Sequence, residues 1–358
     1  MVDRQIRTIL ILSCTFGVCF LIDLSLVAPG DSFFVNSRIE GEIINTDFSP
    51  WEEIVPVSGE PQCRSKCHLL TRCRSAAFYT TSNTCKFKDV NRLTPSTKFV
   101  REAGIKYFDK LTAPVASVSV KTVENANDCK DVMDQGHRIS GVYMVSSDNQ
   151  QYVPILCDME TASGGWTVIQ QRVDGSIPFN HTWNSYKLGF GDFSTNFWFG
   201  NDRIHNLTTH YGESSEILFD LTKHDGTKVY TAYKDFNIDD ESNKYQLHVG
   251  SVFDPQIPGG GAVPPGENKG FDHQNGQYFS TLDMDNDSSG SRHCSEEHKG
   301  SGWWFANCYK IHLNGIYGLQ GSDGGIVWDK VTFIAPFSGG SRVQHPFIKT
   351  RMLVRRND

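Results

Sequence analysis

Cysteine spacing constrains this chain more than any other feature. Ten cysteines occur in 358 residues. Cys14 and Cys19 lie in an apolar N-terminal run, and the other eight, Cys63, Cys67, Cys73, Cys85, Cys129, Cys157, Cys294 and Cys308, form local groups. An even, clustered set in an exported chain implies disulfides, which stabilise small loop-rich units whose cores are thin. Zinc is the alternative for Cys63 and Cys67, but there is no Cys-x-x-Cys pair and no His-x-x-x-His partner follows.

Export is the reading of the N-terminus. Arg4 and Arg7 precede an apolar run from Ile9 to Ile22, with small residues Gly17 and Cys19 ahead of a cleavage point after Cys19, so residues 1–28 read as a signal peptide. A signal anchor competes, because apolar character resumes from Leu24 to Ala28. Asp23 is costly at membrane depth, and the uninterrupted run falls short of the ~20 residues a spanning helix needs. Secretion into the extracellular space is therefore favoured. Asn180-His181-Thr182 and Asn206-Leu207-Thr208 are glycan acceptors on that route. Asn286-Asp287-Ser288 also fits the pattern, but a sugar there would obstruct the acidic loop described below, and its use is not expected.

With 38% hydrophobic and 12% aromatic residues, the chain buries a sizeable core across two or three domains. A net charge of -7, without a basic stripe interleaved with aromatics, argues against nucleic acid as a partner, since phosphate binding needs a cationic surface.

Residues 31–111 read as a first unit. Cys63 and Cys67 are one helical turn apart and share a helix face. Ala76 to Thr81 reads as a strand, Ser82 to Thr84 as a turn, and Cys85 to Lys88 as the antiparallel return. Four cysteines permit three connectivities, and the residues alone leave them open. Residues 112–124 read as a linker with neither heptads nor a Gly-x-y repeat, so any homo-oligomer must form through globular surfaces. From Cys129 onward the segments are short and β-rich, with Asp174-Gly175 and Asp225-Gly226 as turns. Residues 257–266 carry too much Gly and Pro for regular structure to be expected.

A second constraint lies in Thr281-Leu282-Asp283-Met284-Asp285-Asn286-Asp287-Ser288, where three carboxylates alternate just upstream of Cys294, Trp303, Trp304 and Cys308. Crowded acids repel unless a cation is held among them, and hard oxygen donors suit Ca²⁺. An EF-hand is excluded: counted from Asp283, the sixth position is Ser288 instead of Gly and the twelfth is Cys294 instead of Glu. A solvated acidic turn is the plain alternative.

The residues around this loop resemble the fibrinogen-related domain of ficolins, tachylectins, angiopoietins and fibrinogen chains. The resemblance is carried by Phe279 to Asp287, Cys294, Gly302 to Cys308 and Leu313 to Tyr317. Upstream it rests on Asn127 to Val132, Gly141 to Tyr143, Cys157 to Met159, Gly164 to Gln170, Arg172 to Ser176, Trp183, Tyr186, Gly189 to Gly191 and Phe197 to Asn201. Gly325 to Trp328 and Lys349 to Arg355 complete it. It spans residues 125–358 and implies an α+β, disulfide-stapled fold with an antiparallel sheet and long loops. Residues 31–111 resemble, more loosely, the PAN/apple module. That resemblance implies bridges Cys63–Cys85 and Cys67–Cys73.

By the same resemblance, Asp285 and Asp287 would be the carboxylate ligands of Ca²⁺, the carbonyls of Ser289 and Ser291 further donors, and Asp283 a supporting acid. A ligand pocket would lie against the Cys294–Cys308 bridge and a cis Asn307–Cys308 peptide, with Glu297, His298, Tyr309 and Asp323 around it. Tyr309 stands where family lectins have His, and His298 where they have Tyr, while Glu296, Glu297 and Asp323 would favour a cationic amine if they converged. Trp303 and Trp304 belong to the core.

Two binding functions follow. One is a secreted, calcium-dependent, lectin-like protein of the innate-immune type, taking glycans or acetylated or amino-group ligands on microbial or cell surfaces. The other is an extracellular ligand of a receptor or matrix protein. An enzyme is disfavoured: the sequence carries no Gly-x-Ser-x-Gly elbow, His-Glu-x-x-His pair or phosphate-cradling loop.

Overall fold

A computed structural model describes residues 10–15, 18–23, 32–35, 40–44, 52–70, 72–89, 94, 99–112, 121–146, 151–210, 215–255, 257, 261–262, 271–319, 324–328, 333–334, 343–344 and 347–357. The chain divides into two compact units, residues 1–43, 49–91 and 102–118 in one, residues 44–48, 92–101 and 119–358 in the other. No helix among the described residues is long and apolar enough to cross a membrane.

The first unit joins a helix to a sheet. Strand β1 (Glu52–Pro56) leads to helix α1 (Glu60–Leu69), then to β2 (Ser75–Tyr79), β3 (Thr84–Lys88) and β4 (Phe99–Thr112). Pro61 opens α1, where a missing N–H costs nothing, and Glu60 pairs with Arg64 one turn on at 2.8 Å. Strands β1, β3, β2 and β4 lie side by side in that order, all antiparallel. The β2–β3 hairpin turns through Asn83 at φ 50°, a residue type that tolerates the left-handed region. Ala76, Phe78, Cys85 and Phe87 occupy one sheet face and bury against Cys63 and Cys67 of α1. Cys63 is bridged to Cys85 and Cys67 to Cys73.

The second unit is built on a broad sheet. Its elements are β5 (Lys121–Glu124), α2 (Cys129–Asp134), β6 (Gly141–Ser146), β7 (Gln151–Asp158), β8 (Trp166–Arg172), α3 (Trp183–Leu188), α4 (Asn201–His210), β9 (Ser215–Thr222), β10 (Lys228–Lys234), α5 (Cys294–Glu297) and β11 (Lys349–Arg356). The spatial order is β5-β6-β7-β8-β11-β9-β10, with β5 parallel to β6 and the other pairs antiparallel. Thus β11, last in sequence, lies between β8 and β9. Its arginines lock it in: Arg351 lies 2.8 Å from Asp158 and 2.5 Å from Asp220, and Arg356 lies 2.8 Å from Asp131. The Arg355 guanidinium stacks over Trp166 at 4.1 Å. Cys129–Cys157 ties α2 to β7.

Two expectations need correction. The stretch read as linker ends in a strand, because Val123 is buried in a parallel pairing with β6. Within the Gly-rich stretch, Gly261–Ala262 pairs in parallel with Val229 and Tyr230 of β10. Backbone without a bulky side chain fits against a sheet edge.

An aromatic core positions the long loops. Trp198, Phe271, Phe279, Trp303 and Trp304 are fully buried, with centroids 5.2 Å apart for Phe279–Trp304 and 5.3 Å for Trp303–Trp304. Ser280 and Trp303 exchange backbone hydrogen bonds of 3.0 and 3.1 Å, which pins the chain just ahead of the acidic loop.

Because the first unit is small, replacing Cys63 and Cys85 together by Ser should lower its stability by about 3 kcal/mol. Limited proteolysis of the full chain should then cut the first unit well before the C-terminal unit; equal resistance to the unaltered protein would contradict the bridge's role.

Candidate functional site

The acidic loop folds onto itself and onto its neighbours. Thr281 and Met284 exchange backbone hydrogen bonds of 3.0 and 3.1 Å, closing a turn around Leu282 and Asp283. Asp283 Oδ1 accepts from Thr281 Oγ1 at 2.8 Å and from the Trp183 N–H at 2.8 Å, so this acid satisfies the first turn of α3. Asn286 donates its backbone N–H to Ser280 Oγ and its Nδ2 to the Phe279 carbonyl, both at 3.0 Å.

Asp285 and Asp287 are brought together. The Asp287 N–H donates to Asp285 Oδ1 at 3.3 Å, and Asp287 itself accepts from the Ser289 N–H through Oδ1 and from the Cys294 N–H through Oδ2, each at 2.8 Å. Partial burial, with the Asp285 charge beside it, pushes the Asp287 carboxyl above its usual range despite those two bonds. Two hard carboxylates at one corner make a donor set that fits a divalent cation such as Ca²⁺. The Ser289 carbonyl accepts a long turn bond from the Arg292 N–H at 3.4 Å, and Ser291 is exposed.

The Cys294–Cys308 bridge connects this loop to the segment around Asn307 and Tyr309. Asn307–Cys308 is a cis peptide. Asn307 is exposed, Cys308 buried, and Tyr309 half-buried between two imidazoles: His298 edge-on at 4.6 Å and His312 at 4.9 Å. Glu297, His298 and Cys308 have ligand-type atoms within 4.8 Å of one another. They do not make a metal site, because the Cys308 sulfur is committed to the bridge. Gly324, at φ 108°, packs so closely that a Cβ would lie 2.8 Å from the His298 carbonyl oxygen. Its predecessor Asp323 lies outside the described residues.

Glu297 and Glu296 do not form an open acidic pocket. Arg292 donates from Nε to Glu297 Oε2 at 2.8 Å and again from Nη2, and His293 Nδ1 lies 3.6 Å from Glu296. The Arg292 pairing holds the Glu297 carboxyl below its usual range. Sequence reasoning missed this matching, although the order Arg292-His293 before Cys294 and Glu296-Glu297 after it carried the signal. It also missed His312, fully buried with Nε2 3.0 Å from Ser301 Oγ. Both Asn180 and Asn206 are exposed.

Known proteins resolve the family. Residues 125–355 match the C-terminal globular domain of fibrinogen beta and gamma chains, and residues 38–113 match the PAN domain. The chain belongs to the fibrinogen C-terminal domain family. It is 36% identical to Ryncolin-4 of Cerberus rynchops over 190 residues, which is 53% of this chain and 51% of that one. It is 38% identical to fibroleukin of Homo sapiens over 234 residues, 64% of this chain and 51% of that one. The chain thus spans about half the length of these relatives. Among solved structures, the fibrinogen-like globe domain of human ANGPTL2 aligns at a TM-score of 0.53 and 31% identity, covering 65% of this chain and 99% of that one. A lamprey fibrin D-dimer complexed with the peptide Gly-His-Arg-Pro-amide aligns at 0.52 and 30%, covering 67% and 75%. Domains of this family recognise ligands and do not catalyse reactions.

Burial drives the His312 pKa well below its ordinary value of 6.5, with the nearby charges of His298 and Arg172 adding to the effect. In the unfolded chain this ring takes up a proton near pH 6.5, whereas the folded state resists it. Its contribution to stability is therefore complete above pH 6.5 and declines as the pH falls below that value. The ring's NMR shifts should stay at their neutral position on acidification through 6.5 while the melting temperature of the C-terminal unit drops. A His312 that titrates at 6.5 would overturn the assignment.

Proposed function

We propose that this chain is a secreted recognition protein that binds glycans or other ligands on microbial or cell surfaces, in a calcium-dependent manner, at the surface beside Cys308. The observation that carries this reading is the 2.8 Å bond from the Cys294 N–H to Asp287, because Cys294 is also bridged to Cys308 and so links the acidic loop to the proposed ligand site. Asp285 and Asp287 would hold the ion, with the Ser289 and Ser291 carbonyls as further oxygens. A bound Ca²⁺ would neutralise the paired acids. The chain's own residues do the rest: Asp283 anchors the loop to α3, Asn286 anchors it to Phe279 and Ser280, and the bridge holds Cys308 in place. A shallow site of this kind needs several copies for useful avidity.

The second reading, a receptor or matrix ligand acting through protein contacts, draws support from the peptide bound to the lamprey fibrin D-dimer. A glycan array probed with and without EDTA separates the two. Sugar binding that EDTA abolishes supports the lectin reading; a blank array together with receptor capture supports the other.

Asp285→Asn with Asp287→Asn should remove the calorimetric heat of millimolar Ca²⁺ and, with it, the EDTA-sensitive binding. Unchanged heats in the double variant would eliminate these residues as ligands.

Secretion also makes Asn180 and Asn206 glycan carriers, while Asn286 is held by its bond to Phe279. Asn180→Gln and Asn206→Gln should each remove one step of enzymatic deglycosylation on a gel, and Asn286→Gln none. Loss of a step in Asn286→Gln would overturn that reading.

A further inference from the structure

An exposed leucine and a glycan acceptor, far apart in sequence, meet beside the acidic loop. Leu282, the residue before Asp283, is 49% exposed within the turn that Thr281 and Met284 close. A Cβ built on Gly300 would lie 3.4 Å from Leu282 Cδ2 and 3.5 Å from Asn180 Cβ, so both side chains reach one point over a residue that has none. Asn180 is exposed, and its neighbours are anchored. Phe179 is buried, with its carbonyl accepting the Tyr186 hydroxyl at 2.6 Å, and the His181 ring lies 4.2 Å from that of Phe190. The acceptor triplet then runs directly into Trp183, whose N–H bonds Asp283 at 2.8 Å. Acceptor and turn are therefore tied together twice.

We infer that a glycan on Asn180 is a working part of the acidic loop: its first sugar covers Leu282 and holds the Thr281–Met284 turn closed. This rests on Asn180 carrying the glycan proposed above. Attachment joins Asn180 Nδ2 to the anomeric carbon of a sugar delivered on a polyprenyl diphosphate; the bond from that carbon to the diphosphate oxygen breaks, and the amide gives up one proton. The first sugar then begins directly beyond the amide, beside Leu282. Sugar rings carry apolar C–H faces, and packing one on a half-exposed leucine removes apolar surface from water. Opening the turn strips that contact away, so the cover favours the closed turn that leads into Asp285 and Asp287.

The test compares the full chain, made in cells that attach high-mannose glycans, in its intact form, trimmed enzymatically to one N-acetylglucosamine, and as Asn180→Gln. Hydrogen exchange is read at the Thr281 and Met284 amides, which bond each other's carbonyls. The intact and trimmed forms should exchange at the same rate, and Asn180→Gln about tenfold faster, the scale of uncovering half a leucine side chain. Leu282→Ser with the glycan present should match Asn180→Gln, and the double variant should add nothing further. Trimmed protein that exchanges as fast as Asn180→Gln, or effects of the two substitutions that simply add, overturns the inference. An unmodified Asn180 overturns it together with the glycan-carrier reading, whereas a glycan that leaves exchange unchanged overturns the cover alone. Calcium heats read on each form keep a failure of Asp285 and Asp287 as ligands apart from either result.

Discussion

The Asp287 carboxylate, accepting the N–H groups of Ser289 and Cys294, is the contact on which the rest of the site depends. One oxygen shapes the acidic loop and the other seizes the first residue of α5, whose sulfur is bridged to Cys308. One hydrogen bond and one covalent bridge therefore link Asp287 to Cys308, the second residue of the cis Asn307–Cys308 peptide. The carboxyl's raised pKa, caused by burial and by Asp285, marks a corner where negative charge is held against its preference.

Beneath that corner the aromatic core resists movement. Phe279 packs against Trp198 at 5.9 Å and Trp304 at 5.2 Å, and the chain turns out of this packing directly into Ser280 and the acids. Trp304 donates its indole N–H to the Tyr245 carbonyl, and Tyr245 donates its hydroxyl to Asp202 at 2.6 Å. Close-packed rings, with the indole N–H groups of Trp198 and Trp304 bonded to Asn201 and Tyr245, give the loop a firm base, and its exposed end is shaped by its own hydrogen bonds.

Much was legible in the chain before its structure was considered. The helix carrying Cys63 and Cys67, the hairpin around Ser82 to Thr84, and the strands beginning near Gly165, Ser215 and Lys228 all follow from period, turn chemistry and β-branched content. These are local properties, carried by residues close in sequence. The short strand at Gly261 escaped the same reasoning, because its pairing with Val229 and Tyr230 comes from a distant segment and not from its own propensity.

By itself the sequence determined the kind of chemistry available: alternating acids with oxygen donors, grouped cysteines, and an ordered series of motifs marking one family. Tertiary structure decided the use of each group. It made Asp283 a partner of α3, set Arg292 on Glu297, sank His312 into the core, and inserted the last strand between β8 and β9. The physical reason is range. Propensity and donor type act within a few residues, whereas a carboxylate's charge state and partners depend on whichever distant segment packing brings within about 3 Å.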